Sequence, residues 1–555
     1  MQDDTSRSVQ RPDDRLAEDR DWERAGRLLA LGHHHRAFLR PPFAGEDVYP
    51  RFVERAEGCT VVDSAGRTFL DWMMGWGPVL LGYRHPKVEA AIRAQLEAGP
   101  TVSLLHRVSL DVASMLTEMI PCAEMVEFGK NGSDVTTAAV RIARAWTGRE
   151  ILFYSGFHGF HDWFAAGFSN VQGVPKATAP LLQQFPYNDL PALEALFDRF
   201  PGAVAAVVME PTSARLPEPG YLEGVRDLAH RHGALLVFDE MITGFRLANG
   251  GAQEYFGVTP DLAAFGKAIA NGMPLSAIVG RRRYMRILPH VSWGMTFMSE
   301  TLSLAAARAV LEVLRTEPVV EHIARAGRRI RESFHRACAK EDVRAALVGA
   351  DARLSFEFET QGGFEARELL TLFLRECARR GMLSHGLMLP SYAHDDDALV
   401  RTESVLADAL SAIVGAIRGR SRGDVPALAP LYAAKGYVDT FADDGTSLRV
   451  DGWMLVDNEP PDAIECVAPS GESQLVDRAL RPDVAAAFPL ACGAEHCGFA
   501  VLLPAMRFAR DGIWDFELRA SRRGRVVFRC PVSRPMGPRP STPGPFELSQ
   551  GSVFG

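Results

Sequence analysis

LLVFDEMITGFR, residues 235–246, is the segment that decides the fold. Five apolar or acidic positions, Leu235 to Asp239, read as a strand with no polar face, the pattern of a strand covered on both sides in a parallel sheet. The strand ends on Asp239-Glu240. A carboxylate is therefore placed at the carboxyl end of a strand, where open α/β sheets bind ligands. By itself the segment reads equally well as a turn or a helix cap. Working outward, Glu150–Tyr154 and Ala203–Met209 are strands of the same kind, and Lys87–Glu97, Leu110–Met119 and Val135–Trp146 carry helical spacing. Strands alternating with helices of this length predict βαβ units and an α/β core built on a parallel sheet.

Two further segments gain meaning from the first. In PDLAAFGKAIANGMPLSAIVG (260–280), Lys267 follows a short apolar run and precedes a glycine loop. Alone it reads as a surface lysine. In FGKNGSDVTTAAVRIARAWTGR (128–149), Asn131-Gly132-Ser133 opens an amphipathic helix. Backbone amides and a hydroxyl at a helix start suit a phosphate, although the same residues also make an ordinary N-cap. Only six of the 61 basic residues are lysines, so chemistry that needs a lysine has few candidates. A phosphate cradle, a strand-end aspartate and a lysine 28 residues later are together what pyridoxal phosphate chemistry requires. The lysine holds the cofactor as a Schiff base, and the aspartate keeps its ring nitrogen protonated.

The chain has 555 residues, a formal charge of −8, 47% hydrophobic and 23% charged residues. That length allows two to four domains of roughly 100–200 residues each. The mild acidity opposes a general nucleic-acid binder. No apolar run reaches the ~18 residues that span a bilayer, and the polar first thirty residues carry no secretory core. Eight scattered cysteines fit a reducing compartment, so a cytoplasmic enzyme is expected.

The organisation expected is an N-terminal helical segment over 1–45 and a catalytic region over 46–420. Within the latter, a large domain spans about 75–300, and a small one combines 46–74 with 301–420. A polar, Pro-containing linker (421–435) follows, then an all-β sandwich over 436–533 and a Pro/Gly/Ser-rich tail (534–555) expected to be disordered.

These segments resemble the class III, fold type I aminotransferases, and within them the glutamate-1-semialdehyde aminomutase branch. The resemblance covers roughly residues 20–415. It rests on RAF (36–38), WGPVLLGYRHP (76–86), NGSD with RIARAWTGR, FHG (157–159), PYNDL (186–190), DEMITGFR, GVTPDLAAFGKAIANGMP and TF (296–297). It implies pyridoxal 5′-phosphate as cofactor, with Lys267 as the Schiff-base lysine and Asp239 as the partner of the ring nitrogen. Gly132 and Ser133, with Asn131 before them, would hold the phosphate. Phe157 would stack on the ring with His158 beside it, and Met241 would pack on the opposite face. Thr296 would reach the phosphate of a neighbouring subunit, implying a homodimer with shared active sites. Arg36 would bind the substrate carboxylate, and Trp76 would line the substrate pocket.

Two departures from the aminomutases favour an enzyme that releases its product to a separate acceptor. The stretch between Trp163 and Pro175 is shorter than the aminomutase gate, and LPSYAHDDD (389–397) lacks the Phe-Glu-Ala-Gly insertion that supplies an acid. The reading is thus an aminotransferase moving an amino group from an amino acid to a keto or aldehyde acceptor, of the kind made for surface polysaccharide or secondary metabolism. An aminomutase and an inactive binding protein on the same scaffold are the alternatives. The C-terminal part resembles a β-sandwich module attached to bacterial glycosyltransferases, which makes Trp453 either a sugar platform or a core residue. His33-His34-His35 and the Cys466, Cys492, His496, Cys497, Cys530 set lack metal-site spacing, so no metal is expected.

Overall fold

The computed structural model of the chain describes residues 12–29, 48–167, 173–419, 434–456, 459–482, 484, 494–522, 525–535 and 546–547. Arg36, the three histidines, residues 421–433 of the linker, Cys492 and the middle of the stretch between Trp163 and Pro175 lie outside the described residues.

The chain enters through helix Pro12–Leu28. An antiparallel meander follows, β1 (Val53–Glu57), β2 (Thr60–Asp63) and β3 (Thr68–Asp71). Its turn at Ser64-Ala65-Gly66 forms because Asp63 accepts the amides of Ala65 (3.0 Å) and Arg67 (2.8 Å), while Gly66 supplies a φ of 76°.

The central sheet has seven strands, β4 (Met125–Gly129), β5 (Ile151–Ser155), β6 (Leu182–Gln184), β7 (Val204–Met209), β8 (Leu235–Asp239), β9 (Leu262–Phe265) and β10 (Ser276–Gly280), in the order β4-β10-β9-β8-β7-β5-β6. Every residue of β7 and β8 is buried. Alternate side chains go to opposite faces. Leu235 and Val237 join a core with Val135, Ala138, Ala139 and Ile142 of helix Gly132–Thr147. Leu236 and Phe238 join the larger core with Val225 of helix Tyr221–Arg231 and Leu304 of helix Thr301–Thr316. Each such side chain contributes about 1.5–3 kcal/mol on burial, which accounts for the absence of a polar face.

The strands expected to be parallel, β5, β7 and β8, are so, but the sheet is not parallel throughout. β10 is antiparallel to both β9 and β4. The cause is local. No crossover helix separates β9 from β10, only the loop bearing Lys267, and a connection that short returns the chain antiparallel.

A second core gathers helices Val319–Glu341, Ala366–Arg379 and Asp396–Gly419 with β11 (Ala345–Ala350), β12 (Arg353–Phe358), β13 (Met382–Leu383) and β14 (Leu387–Met388). β13 extends the β1–β3 meander in parallel, and β11-β12-β14 form a separate sheet. Helix Thr301–Thr316 packs on helices Pro86–Ala98 and Arg107–Met119 and so belongs with the large core.

From Ala434 onward the chain forms two five-stranded sheets that share one core, including Val450, Ile464, Phe499 and Trp514. Trp453 is 6% exposed, which makes it a core residue and not a sugar platform. Of the tail 534–555, only residues 534–535 and 546–547 are among the described residues. The last long strand runs Arg525–Pro535, and Phe546–Glu547 pair with Tyr437 and Val438.

Candidate active site

The site lies at the carboxyl ends of β7, β8 and β9. The register aligns Asp239 with Ala264, so the acid closing β8 and the loop leaving β9 share one edge of the sheet. Lys267 stands just beyond Gly266 with φ 44°, a left-handed conformation uncommon for a side-chain-bearing residue and one that clusters at functional sites. Burial pushes the Lys267 ammonium down to about 8, against the opposing pull of Glu210 and Asp239.

Asp239 is 3% exposed and held from two sides. Its Oδ1 accepts the Met241 amide (3.1 Å), and its Oδ2 lies 2.9 Å from His158 Nδ1. The other imidazole nitrogen faces the Ser155 carbonyl at 3.2 Å. His158 is buried among Tyr154, Trp163 and Phe164. It therefore positions the aspartate, a role more specific than the one expected of a neighbour to Phe157.

The residues expected to hold the phosphate stand at the start of a helix. Asp134 takes the amides of Lys130 (3.1 Å) and Asn131 (2.7 Å), leaving Gly132 and Ser133 to open a sixteen-residue helix. Ser133 is buried, and its Oγ accepts the Phe160 amide at 3.1 Å. A Cβ on Gly159 would come within 2.2 Å of that Oγ, so the chain closes on the cradle only because this residue is glycine. Ser276 on β10 donates to the Asn131 carbonyl (2.9 Å), tying the cradle to the strand that follows Lys267. Asn131 is exposed, and its side chain caps the helix by accepting the Asp134 amide.

Met241 occupies the space between Gly132 and Gly266. A Cβ at either glycine would approach its sulfur to 2.9 Å and 2.7 Å. Phe157 is half-buried against Phe164 and belongs to the same cluster as Met241. Trp76 is half-buried with φ 69° and faces His385 (5.4 Å between rings), and the adjoining Gly77 lies against the Lys267 Cδ. Thr296 is exposed beside Phe297, itself 56% exposed.

Three residues escaped the sequence reading. Glu210 closes β7 as Asp239 closes β8, and its Oε1 accepts the Phe157 amide (2.9 Å). The strand-end acid in VVMEPT was the available signal. Arg246, 1% exposed, joins distant segments by donating to the carbonyls of Gly77 (3.0 Å), Pro390 (2.7 Å) and Ala352 (3.4 Å). Arg353, at the start of β12, had no sequence signal. Glu240, beside Asp239, is wholly buried and accepts from Thr243, Ala252 (2.8 Å) and Gln253 (3.0 Å).

The donor set fits pyridoxal 5′-phosphate. A helix start with two glycine-lined approaches would take the phosphate, a buried and oriented carboxylate the ring nitrogen, and a desolvated amine the carbonyl carbon. Among the described residues no helix is long and apolar enough to cross a membrane, and no cluster of three metal-ligating side chains occurs.

Comparison with known proteins agrees. The family model for class-III aminotransferases matches residues 43–402. A glutamate-1-semialdehyde 2,1-aminomutase of Roseiflexus castenholzii is 36% identical over 398 residues, covering 66% of this chain and 92% of its own. A 3-aminobutyryl-CoA aminotransferase of Cloacimonas acidaminovorans is 32% identical over 377 residues, covering 66% and 90%. The FumI protein of Sphingopyxis, solved with PLP in its internal aldimine form, is 26% identical and superposes with a TM-score of 0.68, covering 74% of this chain and 98% of its own.

Proposed function

Because the chain belongs to the class-III aminotransferases and uses pyridoxal 5′-phosphate, we propose that it transfers an amino group from an amino acid to a separate keto or aldehyde acceptor. The observation that carries this choice is the segment 389–397. Pro390 is held by Arg246, Tyr392 donates its amide to Leu80 (2.8 Å), and Ser391 pairs with His394 (2.8 Å). Its three acids, Asp395, Asp396 and Asp397, are exposed, and Asp395 caps the following helix at Ala398 (2.9 Å). No acid from this turn is directed at Lys267.

When bound, the cofactor supplies an electron sink for the substrate carbon. The chain supplies the rest. The Lys267 amine, whose proton burial makes easier to release, takes a proton from the substrate carbon and returns it elsewhere. Asp239, fixed by His158, would hold the proton of the ring nitrogen, and the Gly132 and Ser133 amides the phosphate. Phe157 and Met241 would cover the ring faces, and Trp76 the substrate side.

A second copy is supported by an apolar, exposed stretch. Leu104 (82% exposed) and Leu105 (71%) follow Gly99-Pro100, which Thr301 binds at 2.8 and 2.9 Å, close in sequence to Thr296 and Phe297. Thr296 would then serve the partner's site. The small domain is best begun at Val319, after Pro318 ends the preceding helical run. Cys59, Cys122, Cys338, Cys377 and Cys466 are buried thiols in no disulfide, which supports a reducing cytoplasm. Any carbohydrate contact by the C-terminal sandwich would need a residue other than Trp453.

The likeness to the Roseiflexus enzyme supports the second reading, internal amino transfer on glutamate-1-semialdehyde. Incubating the purified holoenzyme with that substrate and no amino donor separates the two. The proposal expects no sustained product, and steady conversion would establish the aminomutase.

A further inference from the structure

We propose that Arg353 is the subsite for the carboxylate of the amino donor, and of the keto acid formed from it. This rests on the aminotransferase reading of the site and names its substrate class.

The β11–β12 hairpin pairs Ala350 with Arg353 across the turn Asp351-Ala352. Gly349 has φ 97°, and a Cβ there would approach the carbonyl oxygens of Arg353 (2.6 Å) and Ala214 (3.1 Å). The hairpin tip is therefore pressed onto the loop that follows β7 and Glu210. Arg246 fixes the preceding residue, Ala352, and with the same guanidinium holds Gly77, whose Cα faces the Lys267 side chain. Backbone on both sides of the site thus fixes the start of β12, and Arg353 there is near enough for its charge to act on Lys267.

The side chain is 6% exposed, and its Nε and Nη1 are buried without a hydrogen-bond partner. The neighbouring acid cannot serve, because Asp351 is paired with Arg331 and Arg328 on helix Val319–Glu341. Glu210 is near enough for its charge to act on both Arg353 and Lys267, yet it forms no ion pair with Arg353, and its Oε1 is taken by Phe157. Tyr187 spends its hydroxyl on the Pro211 carbonyl (2.7 Å). A buried guanidinium with idle donors is unfavourable unless something pairs with it. A planar oxyanion is the matching partner for an arginine. An amino acid donor carries such a carboxylate, whereas an amine or thioester in its place would leave Arg353 unpaired.

The test uses the holoenzyme in three forms, wild type, Arg353→Gln and Arg353→Lys. Glutarate, a dicarboxylate with no amino or keto group, is titrated by calorimetry, and the half-reaction is followed with reactive amino acids. Arg353→Gln should weaken glutarate and amino acid binding 10- to 100-fold while changing the saturating rate less than threefold, and Arg353→Lys should recover part of the affinity. Unchanged glutarate and donor affinity in Arg353→Gln overturns the proposal. A wild type that binds glutarate through Arg353 but reacts with no amine supports the subsite and refutes the aminotransferase reading. Arg353→Met supplies the stability control. It should melt at or above the wild-type temperature, because it removes an unpaired buried charge. A fall of more than about 5 °C, or failure to fold, marks a structural arginine and overturns the proposal.

Discussion

His158 and Asp239 form a buried pair, imidazole Nδ1 to carboxylate Oδ2 at 2.9 Å, joining the turn after β5 to the end of β8. With Met241 donating to the other oxygen, the carboxylate has no rotational freedom left. A hydrogen bond to a charged group is worth about 1.5–3 kcal/mol. His158→Gln should therefore lower kcat roughly 10- to 100-fold with KM changed less than threefold, and should shift the visible band of the bound cofactor. Asp239→Asn should cost about 10²–10³. The double variant should be no worse than Asp239→Asn alone, since His158 acts through Asp239. Additive losses would separate the two residues.

Lys267 makes the apoprotein's stability depend on pH. Its ammonium is lowered by burial from 10.5 to about 8, so between those values the unfolded chain binds more protons than the folded one. Stability should rise with pH across that window, and the penalty should be complete below pH 8. Lys267→Met should stabilise the apoprotein at pH 7 by up to about 3 kcal/mol, and this advantage over the wild type should shrink as pH rises. Melting both forms at pH 7 and 9.5 checks this, because the buried thiols and tyrosines that oppose the trend by keeping their protons, Cys122, Cys377 and Tyr154 among them, do so equally in both. A constant difference between the two would contradict the assignment.

Met241 needs glycine on both sides. In Gly266→Ala the new Cβ would meet the sulfur at 2.7 Å and force it away. Cofactor affinity, titrated into the apoprotein, should fall roughly tenfold, the equivalent of about 1.4 kcal/mol. Adding Met241→Ala should restore much of it. A loss that persists in the double variant would place the strain in the backbone.

Glu240 carries the fold beside the site. Burial raises its carboxyl above the usual carboxylate range, while Thr243, Ala252 and Gln253 donate to it. Glu240→Ala strands those donors and should destabilise the protein by about 3–5 kcal/mol. A Tm loss of several degrees with the cofactor band retained is the expected result.

The parts of the site that lie on regular elements were legible in the sequence. Asp239, Lys267 and Gly132-Ser133 could be read because a strand end, a loop after a strand and a helix start each carry a local pattern. Glu210 obeys the same strand-end rule but was passed over beside a proline. His158 could be named, yet its bond to Asp239 crosses between β5 and β8, which only the order of strands in the sheet determines. Arg353 was illegible for the same reason. Its meaning comes from a hairpin folded back onto β7 and from donors that find no partner, neither of which is a property of DAR as a tripeptide. The antiparallel β10 was missed because a buried apolar run has no direction until the connection before it is measured. Trp453 was open between surface and core because strand alternation alone does not say which face is covered.

The central claim is that Lys267 and Asp239 serve one amino-transfer site, and the visible spectrum of the purified holoenzyme tests it most directly. L-glutamate is added with no acceptor present, to the wild type and to Lys267→Ala. The cofactor's visible band should bleach in the wild type in a single stoichiometric turnover, and the variant should not respond on the same timescale. A band that bleaches equally fast in both would contradict the role given to Lys267.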